Sequence, residues 1–210
     1  MRMIVELTTT EVKPRTLSGA IASFECALPA RQSLSPLGGL WRSDAGALNQ
    51  IVEVWPYESI EHRTHIQAEQ SALRNWPPDL GEVVVDRRTL ILESAPFSPP
   101  IVQRKLGGIY EFRFYTYRKG AFEGIIERWA PSIEQRVKFS PLVGVWYSED
   151  ADAGHLVHVW AYRDANDWQS IRHAMLKTDF WPPKGRAGAP DLLLRQTSMI
   201  ALPASFSPLR

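Results

Sequence analysis

A chain whose second half repeats its first at a fixed offset can fold in only a few ways, and this sequence of 210 residues does so. Displaced by 105 positions, Ile4 meets Ile109, Glu6 meets Glu111, Trp41 meets Trp146, Trp55 meets Trp160 and Tyr57 meets Tyr162. Trp76-Pro77-Pro78 likewise meets Trp181-Pro182-Pro183. The closing Phe97-Ser98-Pro99 matches Phe206-Ser207-Pro208 at an offset of 109, so the second copy holds four extra residues around Lys184 to Ala189. A period of about a hundred residues points to two domain-sized modules, 1–100 and 106–210, rather than to a solenoid of short repeats.

Each module reads as βαββαβ. Met3 to Thr10 alternates as a strand, and Pro14 falls where the first turn of a helix tolerates proline. Leu17, Ala20, Ile21 and Phe24 recur at i, i+3, i+4 and i+7, one apolar helical stripe that Phe122, Ile125, Ile126 and Trp129 repeat. A strand over about Ser35 to Ser43 turns through Asp44-Ala45-Gly46 into Leu48 to Tyr57. Ser59 and Asp164 are N-cap candidates for the second helix of each copy, and Trp76-Pro77-Pro78 is expected to end the first of these. The last strands are expected over Glu82 to Leu92 and Asp191 to Leu202.

That order is the ferredoxin-like α+β arrangement, two helices on one face of a four-stranded antiparallel sheet. It leaves the other face bare, and the two sheets of one chain are expected to pair face to face as an intramolecular dimeric α/β barrel. Alternation puts Val5, Leu7, Val52 and Val54 on one face and Glu6, Thr8, Glu53 and Trp55 on the other. The expectation is that the valine-rich face meets the helices. The ionisable face, with Glu111, Arg113, His158 and Trp160 in the second copy, would then line a cavity between the sheets.

Composition removes several classes of function. With 24 basic and 23 acidic residues, no electrostatic excess draws the chain to nucleic acid or an anionic membrane. No apolar run approaches the roughly 20 residues of a membrane span, and no signal or transit pattern opens the chain, which implies a cytoplasmic protein. Cys26 is the single cysteine, so disulfides and thiolate metal clusters are excluded; a buried thiol on a helix face is expected for it. No phosphate loop, nucleophile elbow or Cys/His metal spacing is present.

The block Gly39-Leu40-Trp41 through Leu48-Asn49-Gln50-Ile51-Val52-Glu53-Val54-Trp55-Pro56-Tyr57, with Ile4-Val5-Glu6-Leu7 before it and Phe97-Ser98-Pro99 after it, resembles the NIPSNAP family. The resemblance covers nearly the whole chain as two modules and implies the dimeric α/β-barrel superfamily, whose members include cofactor-independent monooxygenases and haem-handling enzymes. The second copy departs from the motif, with Ala-Gly-His where the first has Leu-Asn-Gln, so its site need not match the first.

The candidate site residues follow from the face and the motif. Glu6, Glu111, Glu53 and His158 are the candidate acid/base groups; the alternative for Glu6 and Glu111 is a satisfied structural carboxylate, and a lone histidine such as His158 is more often a hydrogen-bonded structural residue. His158 could also be an axial ligand to haem, the one cofactor considered. Trp41, Trp55, Trp146 and Trp160 are candidate aromatic walls for a planar ligand, or core. Arg113, Asn49, Tyr57 and Tyr162 complete the ligand-binding set, and no metal site is expected. His62, His65 and Glu69 share a helical face that reads as solvated. The expected partner is a small, planar or aromatic molecule, bound with or without cofactor-independent proton-transfer or oxygenase chemistry. The alternative is a non-catalytic interaction scaffold, and homo-oligomerisation beyond the internal pseudo-dimer is open.

Overall fold

The computed structural model describes residues 3–122, 124–150, 152–183 and 192–210. The insertion around Lys184 to Ala189 and the expected strand start at Asp191 lie outside the described residues. In chain order the elements are β1 (Ile4–Val12), α1 (Leu17–Gln32), β2 (Gly39–Ala45), β3 (Gln50–Tyr57), α2 (Ile60–Gln70), β4 (Val84–Ser94), β5 (Ile109–Arg118), α3 (Ile125–Arg136), β6 (Leu142–Glu149), β7 (Ala153–Tyr162), α4 (Ala165–Leu176) and β8 (Leu193–Pro203). This is the α+β class, with the βαββαβ order written twice.

The chain forms two compact units. The first comprises Met1–Glu93, Ile101–Lys105 and Met199–Arg210. Its strands run β4-β1-β3-β2, all antiparallel, and the end of β8 pairs along β2 with Trp41 opposite Pro203. Ser207 then accepts the Leu40 N–H through its hydroxyl, 3.0 Å away. The second unit comprises Ser94–Pro100 and Leu106–Ser198, with strand order β6-β7-β5 and the start of β8 beside β5. Ala95 N–H donates to the Val145 carbonyl, and the Ser98 hydroxyl meets the same residue. Each unit thus takes in the closing segment of the other repeat, which is why Phe-Ser-Pro recurs at both module ends.

Local chemistry sets the helix limits. Ser59 accepts from the His62 N–H and Asp164 from the Asp167 N–H, satisfying donors that a first helical turn leaves unpaired. Pro14 precedes α1 instead of opening it: Arg15 at φ 72° turns the chain first, and the helix starts at Leu17. α2 ends at Gln70, well before Trp76-Pro77-Pro78, so the proline pair shapes the following loop rather than stopping the helix. Cys26 is exposed, because the buried face of α1 carries Ala20, Phe24, Ala27, Leu28 and Arg31 and position 26 falls outside that stripe.

The sheet faces are the reverse of the expectation. In the first unit the α1 stripe packs on Leu40, Ile51, Trp55 and Tyr57. In the second, Ile125, Trp129 and Ile133 of α3 pack on Val145, Leu156, Trp160 and Tyr162. Glu53 and His158 share the parity of these residues, so the ionisable face lies under the helices. Val5, Leu7, Val52 and Val54 occupy the opposite face, each at most 1% exposed. Trp41 lies opposite Val52, and Trp146 opposite Val157, so both tryptophans belong to that apolar face and not with Trp55 and Trp160. Gly39 and Gly144 make room for them: a Cβ on either would run into the indole two residues on.

Candidate functional site

Each module builds the same frame between its sheet and its first helix. Arg31, in the last turn of α1, is 1% exposed. Its guanidinium lies 4.2 Å from the centre of the Trp55 ring and donates to Ser35 Oγ (2.7 Å) and Tyr57 Oη (2.8 Å). Arg136 of α3 repeats this on Trp160 (4.1 Å), Ser140 Oγ (2.8 Å) and Tyr162 Oη (3.0 Å). A cation at a helix C-terminus complements the helix dipole, and the aromatic face replaces part of the hydration that burial removes. Neither arginine nor its serine was among the sequence candidates, although Arg31/Arg136 and Ser35/Ser140 are matched pairs at the offset of 105.

The first-module cavity, about 240 Å³, is satisfied from within. Arg31 Nε–H donates to Gln70 Oε1 at 2.8 Å. Glu53 accepts from Trp55 Nε1–H (3.0 Å) and from Arg87 (3.1 Å). Glu6 accepts from Arg63 Nε–H at 2.6 Å, and the Thr8 hydroxyl meets that of Thr89 at 2.9 Å. Two guanidinium groups, Arg31 and Arg87, face two carboxylates, Glu6 and Glu53, around the lining. Burial raises the Glu53 pKa above the ordinary 4.5, with Arg87 and the Trp55 N–H acting against it. Burial, with the neighbouring Glu6 charge, pushes the Tyr57 phenol up to about 12.

A raised carboxyl pKa in the folded state means that Glu53 favours folding below the unfolded value and that this contribution is lost as pH rises through the folded one. Glu53→Gln, which keeps an acceptor for Trp55, is therefore expected to be neutral or stabilising by about 1 kcal/mol at pH 7. Urea unfolding of the two proteins checks this. A clear loss of stability in the variant would show that the Arg87 pairing outweighs desolvation.

The second-module cavity, about 140 Å³, is built from the same positions with different chemistry. Glu111 is 2% exposed and takes Arg113 (3.2 Å), Arg172 (2.9 Å) and Ser198 (3.1 Å) on Oε1, with the Tyr162 hydroxyl at 3.1 Å on Oε2. Burial, and then the Glu111 charge, hold the Tyr162 phenol above its ordinary range. Met175 stands where Gln70 stands in the first module, so the acceptor that Gln70 offers the arginine Nε–H is missing. His158 replaces Glu53. Its Nδ1 receives the Trp160 Nε1–H at 2.7 Å, and an indole N–H can only donate, so the neutral ring carries its proton on Nε2. Tyr115, Trp129 and Trp181 surround the imidazole, with ring centres at 5.0, 5.0 and 6.0 Å.

Burial, followed by the charges of Arg113, Arg136 and Arg172, lowers the His158 pKa well below 6.5. Since the unfolded histidine takes up a proton first, the folded state loses stability as pH falls below about 6.5 and keeps it above. Thermal unfolding of the parent and of His158→Gln should therefore converge above that pH and diverge below it, with the parent falling faster. Parallel pH profiles would refute a buried neutral imidazole.

The remaining candidates lie apart from these cavities. Asn49, at φ 57°, accepts the Val12 N–H on its carbonyl and lines a separate groove with Arg15 and Arg42. His65 pairs with Glu69 on an exposed face (3.5 Å), and the His62 Nδ1 takes the Glu58 N–H. Among the described residues no three ligating side chains gather as a metal site. Among the described residues no helix is long and apolar enough to cross a membrane. Trp76 and Trp181 stack edgewise on Trp55 (5.5 Å) and Trp160 (5.8 Å) and wall the two cavities.

Comparisons with known proteins agree with the duplicated frame. NipSnap homolog 2 of Mus musculus is 26% identical over 207 residues, covering 95% of this chain and 73% of the mouse protein. NipSnap homolog 3B of Homo sapiens is 23% identical over 98% of this chain and 85% of its own length. A solved structure of a predicted monooxygenase from Lactobacillus acidophilus superposes with a TM-score of 0.65 over 97% of this chain and 94% of its own, at 10% identity, a likeness of fold alone. The NIPSNAP family model matches twice, at residues 5–99 and 110–208, which takes in both repeats and both frames. The chain belongs to the NIPSNAP family.

Proposed function

We propose that the protein binds a small molecule with a planar part in the cavity of its second module, between sheet and helices rather than between two sheets. The observation that carries this is the convergence of Arg113, Arg136, Arg172, His158 and Trp160 on an internal space of about 140 Å³. That is comparable to a cavity that admits a benzene-sized guest. Trp160 and Trp181 supply aromatic walls and the guanidinium groups supply fixed donors, the usual mix of apolar lining and a few converging polar groups.

Binding is preferred here to proton-transfer chemistry. Four donors converge on Glu111, the setting of a structural anchor, and the His158 Nδ1 lone pair is engaged by Trp160. A general base needs a free lone pair within reach of a substrate proton. Haem fits the site poorly for the same reason: one imidazole nitrogen is engaged and the other bears the proton, and the space suits a far smaller guest. The test is a screen of small aromatic and unsaturated compounds by tryptophan fluorescence and calorimetry, repeated on Trp181→Ala. Saturable binding that Trp181→Ala weakens supports the reading; no saturable binding, or binding indifferent to Trp181, overturns it.

A further inference from the structure

The two cavities differ at one pair of facing positions: the first holds the carboxylate Glu53 there, and the second holds His158 with Arg113 beside it. Thr8 and Glu53 face each other across β1 and β3, and their counterparts Arg113 and His158 face each other across β5 and β7. In the first module that pair is internally satisfied, Thr8 by Thr89 and Glu53 by Trp55 and Arg87. In the second module the same two positions present Arg113 Nε–H and His158 Nε2–H, and among the described residues neither buried atom has a hydrogen-bond partner. Gln196 takes the place of Arg87 in the lining. Unpaired buried donors are rare because each carries a desolvation cost, and two on adjacent strands beside one cavity mark the place of an absent acceptor.

Charge points the same way. Around the first cavity two guanidinium groups face two carboxylates, whereas around the second, three (Arg113, Arg136 and Arg172) face Glu111 alone. His158 is neutral in the tautomer that Trp160 imposes, so it adds a donor and no acceptor. The local excess is two positive charges: His158 for Glu53, Arg113 for Thr8 and the added Arg172 each raise the balance by one, and Gln196 for Arg87 lowers it by one.

Resting on the binding site proposed above, we infer that its ligand is a small organic monoanion, a carboxylate or enolate. One of its oxygens sits between Arg113 Nε–H and His158 Nε2–H, where it supplies the negative charge that Glu53 supplies in the first module. Its planar part lies against Trp160 and Trp181. Charge-assisted bonds to fixed donors in a partly dry site are the strong kind, and they discriminate against a neutral molecule of the same shape.

The experiment compares shape-matched pairs by calorimetry at pH 7: acetate with acetamide, acrylate with acrylamide, and benzoate with benzamide. At least one carboxylate is expected to bind about tenfold or more tightly than its amide. His158→Glu, which restores the first module's internal anion, should abolish that binding. His158→Gln, which keeps an N–H donor and an acceptor for Trp160, should retain much of it. Arg113→Met, at a partly exposed position, should weaken the carboxylate by about tenfold and the amide by clearly less, and it keeps the test open should His158→Glu not fold. Amides binding as tightly as their acids would overturn the anion assignment and leave the cavity's role as a binding site intact. Carboxylate binding that survives His158→Glu in a folded protein would overturn the placement, as would no carboxylate binding up to about 10 mM. Loss of all saturable binding in the wider aromatic screen would instead remove the binding site itself.

Discussion

Trp160→Ala should destabilise the protein by about 4 kcal/mol, the upper part of the range for deleting a buried large aromatic. Trp160 is 1% exposed and holds three other groups in place. It stacks on Arg136 at 4.1 Å, donates to His158 Nδ1 at 2.7 Å, and meets Trp181 edge to face at 5.8 Å. Alanine leaves a void, an unsupported buried cation and an imidazole free to change tautomer. For a chain of this length the midpoint of thermal unfolding should fall by roughly 10 °C. Trp160→Phe, which keeps an aromatic face but not the N–H, should lose about half as much. Chemical denaturation followed by circular dichroism measures both, and a loss below about 2 kcal/mol for alanine would mean that the frame is not organised around this ring.

Arg136→Ala should cost about 3 kcal/mol, a typical figure for breaking a buried charged network by removing one partner. The guanidinium is 2% exposed and donates to Ser140 and Tyr162, so its removal strands both oxygens and leaves Glu111 with less compensating charge nearby. Arg136→Lys separates charge from geometry, since an ammonium can neither stack flat on Trp160 nor fork to two acceptors. It should recover less than half of the loss. Arg31→Ala should cost at least as much, because Gln70 adds a bond that Met175 cannot offer. Urea unfolding of the four proteins decides this. A lysine variant as stable as the parent would show that positive charge alone is what the site needs.

Much of the fold was legible along the chain because it depends on short-range periods. Alternation located all the strands around Ile4, Val54, Ile109 and Val159, and the 3.6-residue stripe located α1 and α3. Ser59 and Asp164 were readable as caps because an N-cap acts on N–H groups of its own first turn. The end of α2 was misplaced for a reason of the same scale. Trp76-Pro77-Pro78 forbids helix beyond a point but does not require helix up to it, and the chain leaves the helix at Gln70.

The site was half legible. Glu6 with Glu53, and Glu111 with Arg113 and His158, were legible as sharing a face through strand parity, but the one cavity expected between the sheets is two, one in each module; the asymmetry of the two copies was visible in Glu53 against His158. Arg31, Arg136, Arg172 and Ser198 escaped notice because each reaches its partner across dozens of residues, as Arg136 reaches Tyr162 and Ser198 reaches Glu111. The repeat offered one usable signal for the first two: a charged residue kept in both copies of the helical face on which Ala20, Phe24 and Leu28 meet Ile125, Trp129 and Ile133.

By itself, then, the sequence determined the duplication, the βαββαβ order and which residues share a face, since all three are periodicities of covalent geometry and need no partner. Only the tertiary structure decided which face the helices cover. Parity is indifferent to that choice, and here the helices took the aromatic and ionisable side because Arg31 and Arg136 need the Trp55 and Trp160 rings and the buried tyrosine hydroxyls as neighbours. On that side each arginine finds a tryptophan ring together with a serine and a tyrosine hydroxyl that accept from its guanidinium.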